Sequence, residues 1–456
     1  MKYLHLLCTF LFGVAVLLFF GLAYPHHLHY QEQYQLFLFD STYVWDVVKM
    51  PGGVADLLGR FCTQFFLYAW VGAAIIAVLL SVVQLLMFRL VKWGWLYGLS
   101  FVPSFLLWLF LLDENALLGG VWAVLLTLLI IWGYSLLAKG WMRRLLLIVG
   151  ILVLYWMVGS SWTGSHYHRY PRITPYLLYT AWLSAIVLPL IIRAFRRWAD
   201  ASSSYVLTLC SFALVSVVMG WIVWKNCNFK AERVMQYDFM ACHQQWNRIL
   251  MTIDDEKPNN QIGVTVQNLA LAMHGMLADH LFEYNQNGLL GLLPDVERDA
   301  TSPLPTAEAF YQLGMISVAQ RTVFEAQEAI LDFQKSGRCY KRLAQTNLIL
   351  GNYEVARKYL MALQKTLFYR EWARETLPLL GNEEMIARHP EYGRLRRMAY
   401  KEDFYFSDHV TPEMLESLYF SNTDNQLAFE YLRAYYMLMG DRENYVKLLL
   451  HTSAKQ

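Results

Sequence analysis

The chain has 456 residues, 56% hydrophobic and only 16% charged, with a formal net charge of +2. Soluble domains carry roughly 25% charged residues, so an ordinary soluble protein is excluded for at least part of the chain. The near-neutral balance, with no Lys/Arg-rich tract, excludes a nucleic-acid partner, because phosphate backbones are bound by clustered positive charge. Nearly all the long apolar runs precede Lys225. Of the six cysteines, Cys8, Cys62 and Cys210 lie in those runs; Cys227, Cys242 and Cys339 follow without zinc-like spacing.

A bilayer core of ~30 Å needs about 20 apolar helical residues. Seven stretches approach that length: 4–23, 62–88, 95–112, 117–138, 144–160, 175–193 and 204–224. The first has no small-x-small cleavage site before Tyr24, Pro25 and His26, so it reads as a retained span.

The connector 24–60 is too polar to cross a bilayer and too aromatic to be a free linker. Tyr34, Phe37, Leu38, Tyr43, Trp45 and Val48 suggest amphipathic helices at the membrane interface, interrupted at Pro51-Gly52-Gly53. Glu32 stands among Gln31, Gln33 and Gln35; Asp40, Asp46 and Asp56 follow, and Arg60 opens the second run. A carboxylate at a membrane surface serves as general base towards a hydroxyl, and an arginine holds phosphate bidentately. Glu32, Asp40 and Arg60 are therefore the catalytic candidates. The bland alternative is that these polar groups solvate one face of interfacial helices.

Asp113-Glu114-Asn115 forms the turn between the third and fourth runs. Oxygen ligands suit a divalent cation, so Asp113 and Glu114 are the metal candidates; acids before a helix N-terminus also favour its dipole. His26, His27 and His29 on one connector, with His166 and His168 on another, match no recognised metal spacing. The segment Ser160 to Arg172 is rich in aromatic residues and histidine. Charged residues inside the runs are nearly absent, which counts against a transporter or proton pump.

Lys2, then Arg89 and Lys92, then Lys139, Arg143 and Arg144, then Arg193, Arg196 and Arg197 mark alternate connectors, whereas the others are poor in basic residues. By the positive-inside rule the basic connectors and the N-terminus are cytoplasmic. Seven spans then put everything after Lys225 outside, in the periplasm of a bacterium.

Beyond Lys225 the pattern is helix, short turn, helix, repeating at about 30–34 residues. The clearest unit runs from Lys341 to Leu363, with Leu343 and Ala344, a Gly351-Asn352-Tyr353 turn, and Ala356, Leu360 and Leu363. Phe310, Leu313, Gly314 and Ala326 mark the unit before it. Weaker copies are read at 261–282 and 426–450, and a hairpin at 232–253. The pattern resembles tetratricopeptide repeats, which present a concave face to a protein partner.

The expected fold is thus all-α: a polytopic transmembrane domain over 1–224 and an extracytoplasmic helical-repeat domain over 225–456. The segments YQEQYQLFLF, PGGVADLLGRFCTQFF, QNLALAMHGMLADHLFEYNQNGLLGLLP and NQLAFEYLRAYYMLMGD resemble a family of uncharacterised bacterial membrane proteins common in Bacteroidota, over nearly the whole chain. The layout of the first half is also similar to the membrane module of GT-C glycosyltransferases, which carry a long acid-bearing outer loop after their first span. That resemblance implies sugar transfer from a polyprenyl-phosphate donor to a periplasmic acceptor. Glu32 or Asp40 would stand in the place of the catalytic acid, and Asp113 and Glu114 would hold a divalent cation. The first loop lacks the Asp-x-Asp or Asp-Glu pair of that family. The alternative is a non-catalytic, membrane-anchored scaffold for an envelope assembly.

Overall fold

Long apolar runs close their own backbone hydrogen bonds as helices, and in this chain the helices meet where small residues let backbones approach. The computed structural model describes residues 2–91, 93–136, 149–157, 174–194, 205–294, 303–330, 334–400 and 411–453. Among these residues every regular element is helical and there is no strand. The chain divides into two compact units, Met1–Glu232 and Arg233–Gln456.

In the first unit, α1 (Lys2–Leu18) runs on through a wider turn, Phe19–Ala23. The connector that follows folds as α2 (Pro25–Glu32), α3 (Ser41–Val48) and α4 (Gly53–Thr63). Then come α5 (Ala69–Leu90), a 3-10 segment Gly94–Phe101 leading into α6 (Val102–Phe110), and α7 (Leu118–Leu136). Residues 149–157 are helical, and the unit closes with helices Thr174–Ala194 and Tyr205–Lys225.

Among the described residues five helices are long and apolar enough to cross a membrane: Tyr3–Ala23, Ala69–Leu90, Leu118–Leu136, Tyr176–Ala194 and Tyr205–Lys225. They make this a membrane protein. Gly94–Phe110 is apolar but shorter, and it is kinked at Leu96, with Pro103 in the first turn of α6. The run read over 62–88 begins at Ala69 instead. Its first residues finish α4 and a 3-10 turn, and Tyr68 is extended. Of the run read over 144–160 only 149–157 is described, and Ser160 to Arg172, with His166 and His168, lies outside the described residues.

Small residues set the crossings. A Cβ on Gly59 of α4 would stand 2.4 Å from the backbone nitrogen of Gly119 in α7, and one on Gly98 would stand 2.2 Å from the carbonyl of Ser211. A polar network ties α1 to its neighbours: Thr9 donates to Gln84 Oε1 (2.8 Å), Gln84 Nε2 donates to Ser100 Oγ (3.0 Å), and Tyr97 donates to the His5 carbonyl (2.9 Å). With no water to serve these groups inside a bilayer, each must find a partner in the protein.

The second unit is built of antiparallel helix pairs. Phe229–Cys242, which begins four residues before this unit, is followed by Trp246–Glu256. Pro303–Leu313 pairs with Ile316–Ala329, and Gly337–Leu350 with Tyr353–Leu363. Gln426–Met439 is flanked by Thr411–Ser421 and Arg442–Ser453. Gly351 and Gly440 end their helices with φ of 84° and 69°, where a side chain would be strained. Leu343, Ala344, Ala356, Leu360 and Leu363 are all buried, as the repeat pattern anticipates. The copy read over 261–282 differs: helix Gln261–Met273 is followed by a turn at Gly275 and a 3-10 piece, Leu281–Glu283.

The array also turns back on itself. Every residue of Pro303–Leu313 is buried, on all faces. Helices Pro390–Met398 and Gln426–Met439 pack against it; Asn425 donates to the Leu313 carbonyl (2.8 Å) and Arg394 to Gln312 (2.9 Å). At its centre Glu308 is paired with Arg342, whose guanidinium lies 3.7 Å from the Tyr311 ring centre. Asp238 and Arg338 form a bidentate pair at 2.6 and 2.8 Å. Among the described residues this inner helix therefore has no exposed face of its own.

Candidate functional site

The candidate residues of the first unit are placed by α2. Pro25 supplies its first position without an N–H, and the next two amides, His26 and His27, are received by the carboxylate of Glu232 at 2.8 and 3.0 Å. An anion at a helix N-terminus is stabilised by the exposed N–H groups and the dipole. Tyr24 Oη accepts the Asn228 N–H beside it. The start of the first connector is thus held by the chain just after the last apolar helix.

His27, Gln31 and Gln35 follow at intervals of four, and the first two share a face of α2 aimed at the turn after α6. His27 is buried, and its Nε2 lies 2.9 Å from the carbonyl of Leu111, one of the carbonyls left over at that helix end. Burial pushes the imidazole down to about 4, with the Leu111 carbonyl and Asp113 opposing the shift. His27 is therefore neutral at physiological pH and donates from Nε2. Gln31 Nε2 reaches the carbonyls of Ala116 (3.2 Å) and Asp113 (3.4 Å). Asp113 Oδ1 in turn accepts the Asn115 N–H at 2.9 Å, closing the turn on itself.

Between this turn and the connector lies a small recess, part of it open to the outside. Gln31, Tyr34, Gln35, Thr63, Glu114 and Asn115 line it, with Ala116 and Leu117. Gln35 is only 2% exposed; its Oε1 accepts from Thr63 Oγ1 at 3.3 Å, while its Nε2 has no hydrogen-bond partner among the described residues.

The remaining candidates are distributed around this recess rather than gathered in it. Glu114 lines it; Glu32, Asp40 and Arg60 do not. Glu32 is buried at the C-terminal end of α2, and Asp40 precedes the first residue of α3. Arg60 pairs with Asp56 at 2.6 Å, four residues earlier on α4, with both side chains 13% exposed. Arg60 also reaches the Tyr43 hydroxyl at 3.4 Å. Burial alone would work against the guanidinium's charge, but Asp56 more than offsets it and keeps the group firmly protonated. Burial likewise raises Tyr43, with Arg60 opposing.

Asp113 and Glu114 are adjacent, and no group of three or more His, Cys, Asp or Glu side chains gathers among the described residues in a way that would hold a metal ion. Gln31, Gln35 and Glu232 carry much of the geometry, and sequence reasoning did not single them out as site residues. The four-residue spacing of Gln31 and Gln35 was the available signal for the amides; nothing in the sequence pointed from Glu232 to a site some 205 residues away.

A family model described as a family of unknown function, DUF6057, matches residues 1–164 and 160–456. No curated protein and no solved structure matches the chain.

Proposed function

We propose that this chain, which belongs to the DUF6057 family, is a seven-span bacterial inner-membrane protein that transfers a sugar from a polyprenyl-phosphate donor to an acceptor at the periplasmic surface. The topology is supported by parity. Tyr24 with Asn228, and His26 and His27 with Glu232, put the end of the first span and the chain after the last span at one end of the helices. Gln31 with Ala116 puts the 113–117 turn at that same end. An even number of crossings must then separate each of these points from the next. In this reading Gly94–Phe110 is the return for Ala69–Leu90, and the three long described helices after the turn are joined by a fourth crossing in the run 144–160, of which 149–157 is described as helical. At the opposite end Arg193 reaches the Leu90 carbonyl (3.5 Å), beside Arg89. Basic residues at that far end support reading it as the cytoplasmic one, by the positive-inside rule.

The observation that carries the catalytic reading is the recess where the acid-bearing first connector meets the Asp113–Asn115 turn. In this reading Glu114 and Glu32 supply carboxylates near the acceptor, and Asp113 and Glu114 would be the oxygen ligands of a divalent cation. Arg60 would reach a donor phosphate only by leaving Asp56. The tetratricopeptide-like second unit would present the acceptor from its outer faces, since its inner helix is covered. The test is glycan mass spectrometry on envelopes of a deletion strain complemented with wild type or with Glu32→Gln or Glu114→Gln at equal expression. The expected result is a glycoform that wild type restores and the variants do not. Restoration by both variants would remove the acids from the chemistry.

The second reading is a scaffold for an envelope assembly. It is favoured by the apolar side chains Phe420, Val446 and Leu450 left exposed on the last helices of the second unit. A deletion that changes no glycan, with loss of a co-purifying envelope protein when these residues are made polar, would select it.

A further inference from the structure

We infer that the recess between the first connector and the 113–117 turn binds a neutral, hydroxyl-rich group, one edge of a sugar ring, and discriminates against phosphate. This deepens the transferase reading and rests on it for what the bound group is for.

The argument is the chemistry of the lining. Gln31, Gln35 and Asn115 contribute amides, Tyr34 and Thr63 hydroxyls, and Glu114 a carboxylate; among the described residues no lysine or arginine lines the recess. The nearby Arg60 is closed off by Asp56. With no cation bound at Glu114, a phosphate would meet that carboxylate unscreened, whereas a sugar hydroxyl donates to a carboxylate and both donates to and accepts from amides.

A second observation points the same way. Gln35 is 2% exposed and has one end of its amide satisfied by Thr63 and the other unpartnered among the described residues. Buried polar groups are rarely left in that state. The unpartnered end is the Nε2 donor, which the oxygen of a hydroxyl accepts from. The recess is small and partly open, so it takes one hydroxyl-bearing edge of a molecule lying largely outside it and not a folded polymer.

Vicinal hydroxyls come from free sugars or from a glycolipid headgroup, so the test has two arms on the full chain in phosphatidylcholine nanodiscs. The first is saturation-transfer NMR with glucose, galactose, mannose and glycerol, with inorganic phosphate as competitor. The second is native mass spectrometry of lipid retained from discs with and without monoglucosyl diacylglycerol. The expected result is saturable binding in at least one arm, unaffected by phosphate and weakened at least about tenfold by Gln35→Leu and by Asn115→Ala.

A signal in the first arm alone identifies a soluble source, and one in the second a lipid source. If Gln35→Leu fails to fold, Gln35→Glu and Asn115→Ala decide the matter. The inference is overturned if no hydroxylated probe binds in either arm, if phosphate displaces it, or if the folded variants bind as wild type does. Sugar binding without any glycan change in the deletion strain would remove the transferase reading and leave the recess. A glycoform lost on deletion but indifferent to Gln35 would do the reverse.

Discussion

Glu232 and His27 meet at 3.0 Å across 205 positions of chain, the carboxylate of one accepting the backbone N–H of the other. The same carboxylate takes the His26 N–H, so one side chain replaces the cap that α2 lacks in its own sequence. Glu232→Ala should lower unfolding stability by about 1–2 kcal/mol, the range of a lost helix cap. Thermal unfolding in detergent, followed by tryptophan fluorescence, would read this as a lower midpoint. An unchanged midpoint would mean the cap is dispensable.

His27 makes stability depend on pH in a defined window. Its folded value is pushed down to about 4 by burial, against ~6.5 when unfolded. Between these values the unfolded chain binds the extra proton, so stability falls as pH drops from about 6.5 towards 4 and is unaffected by this group above that range. The loss approaches about 3 kcal/mol at the acid end. His27→Gln should flatten that part of the unfolding profile, and an unchanged slope in the variant would place the acid sensitivity elsewhere.

The α4–α7 crossing leaves no room for a methyl group. Gly59→Ala puts a Cβ 2.4 Å from the Gly119 nitrogen, and the separation it forces should cost about 1–3 kcal/mol. Gly133→Ala on α7 is the control, since a Cβ there meets nothing within 4 Å; helix propensity makes it neutral or slightly stabilising. Comparable melting of the two variants would mean that the crossing relaxes freely.

In the second unit, Arg342→Met strands the Glu308 carboxylate, which is 1% exposed. Breaking a buried ion pair from one side costs about 3–5 kcal/mol, whereas replacing both partners by uncharged groups is far milder. Denaturation of the single variant and of Glu308→Gln/Arg342→Met should therefore show the double variant to be the more stable. The reverse order would show that Gln312, which also donates to Glu308 at 3.0 Å, is sufficient company for the charge.

Much of the first unit was legible because hydropathy reports burial in lipid directly. The runs 4–23, 175–193 and 204–224 match Tyr3–Ala23, Tyr176–Ala194 and Tyr205–Lys225 within two residues. The run at 62–88 started early because apolar residues at 65–67 look the same whether they finish an interfacial turn or enter a span; only the extended backbone at Tyr68 separates them. Around the site, the acids drew attention because charge near an apolar run is unusual. The neutral amides that line the recess carried no such flag. The Asp56–Arg60 pair was readable from its four-residue spacing on a helix. Glu232 was not readable, because a contact across 205 residues leaves no local pattern.

The buried helix Pro303–Leu313 has a consequence for how the second unit folds. In an open array each helix pair needs only its neighbours, so structure can start anywhere and spread, and end units can be trimmed. In this chain that helix is completed by partners as distant as Gln426–Met439, and Asn425 closes on Leu313 across 112 positions. Ordering those segments must precede the reward, which slows folding and binds the helices into a single transition. Trimming the last two helices should then collapse the whole unit rather than shorten it.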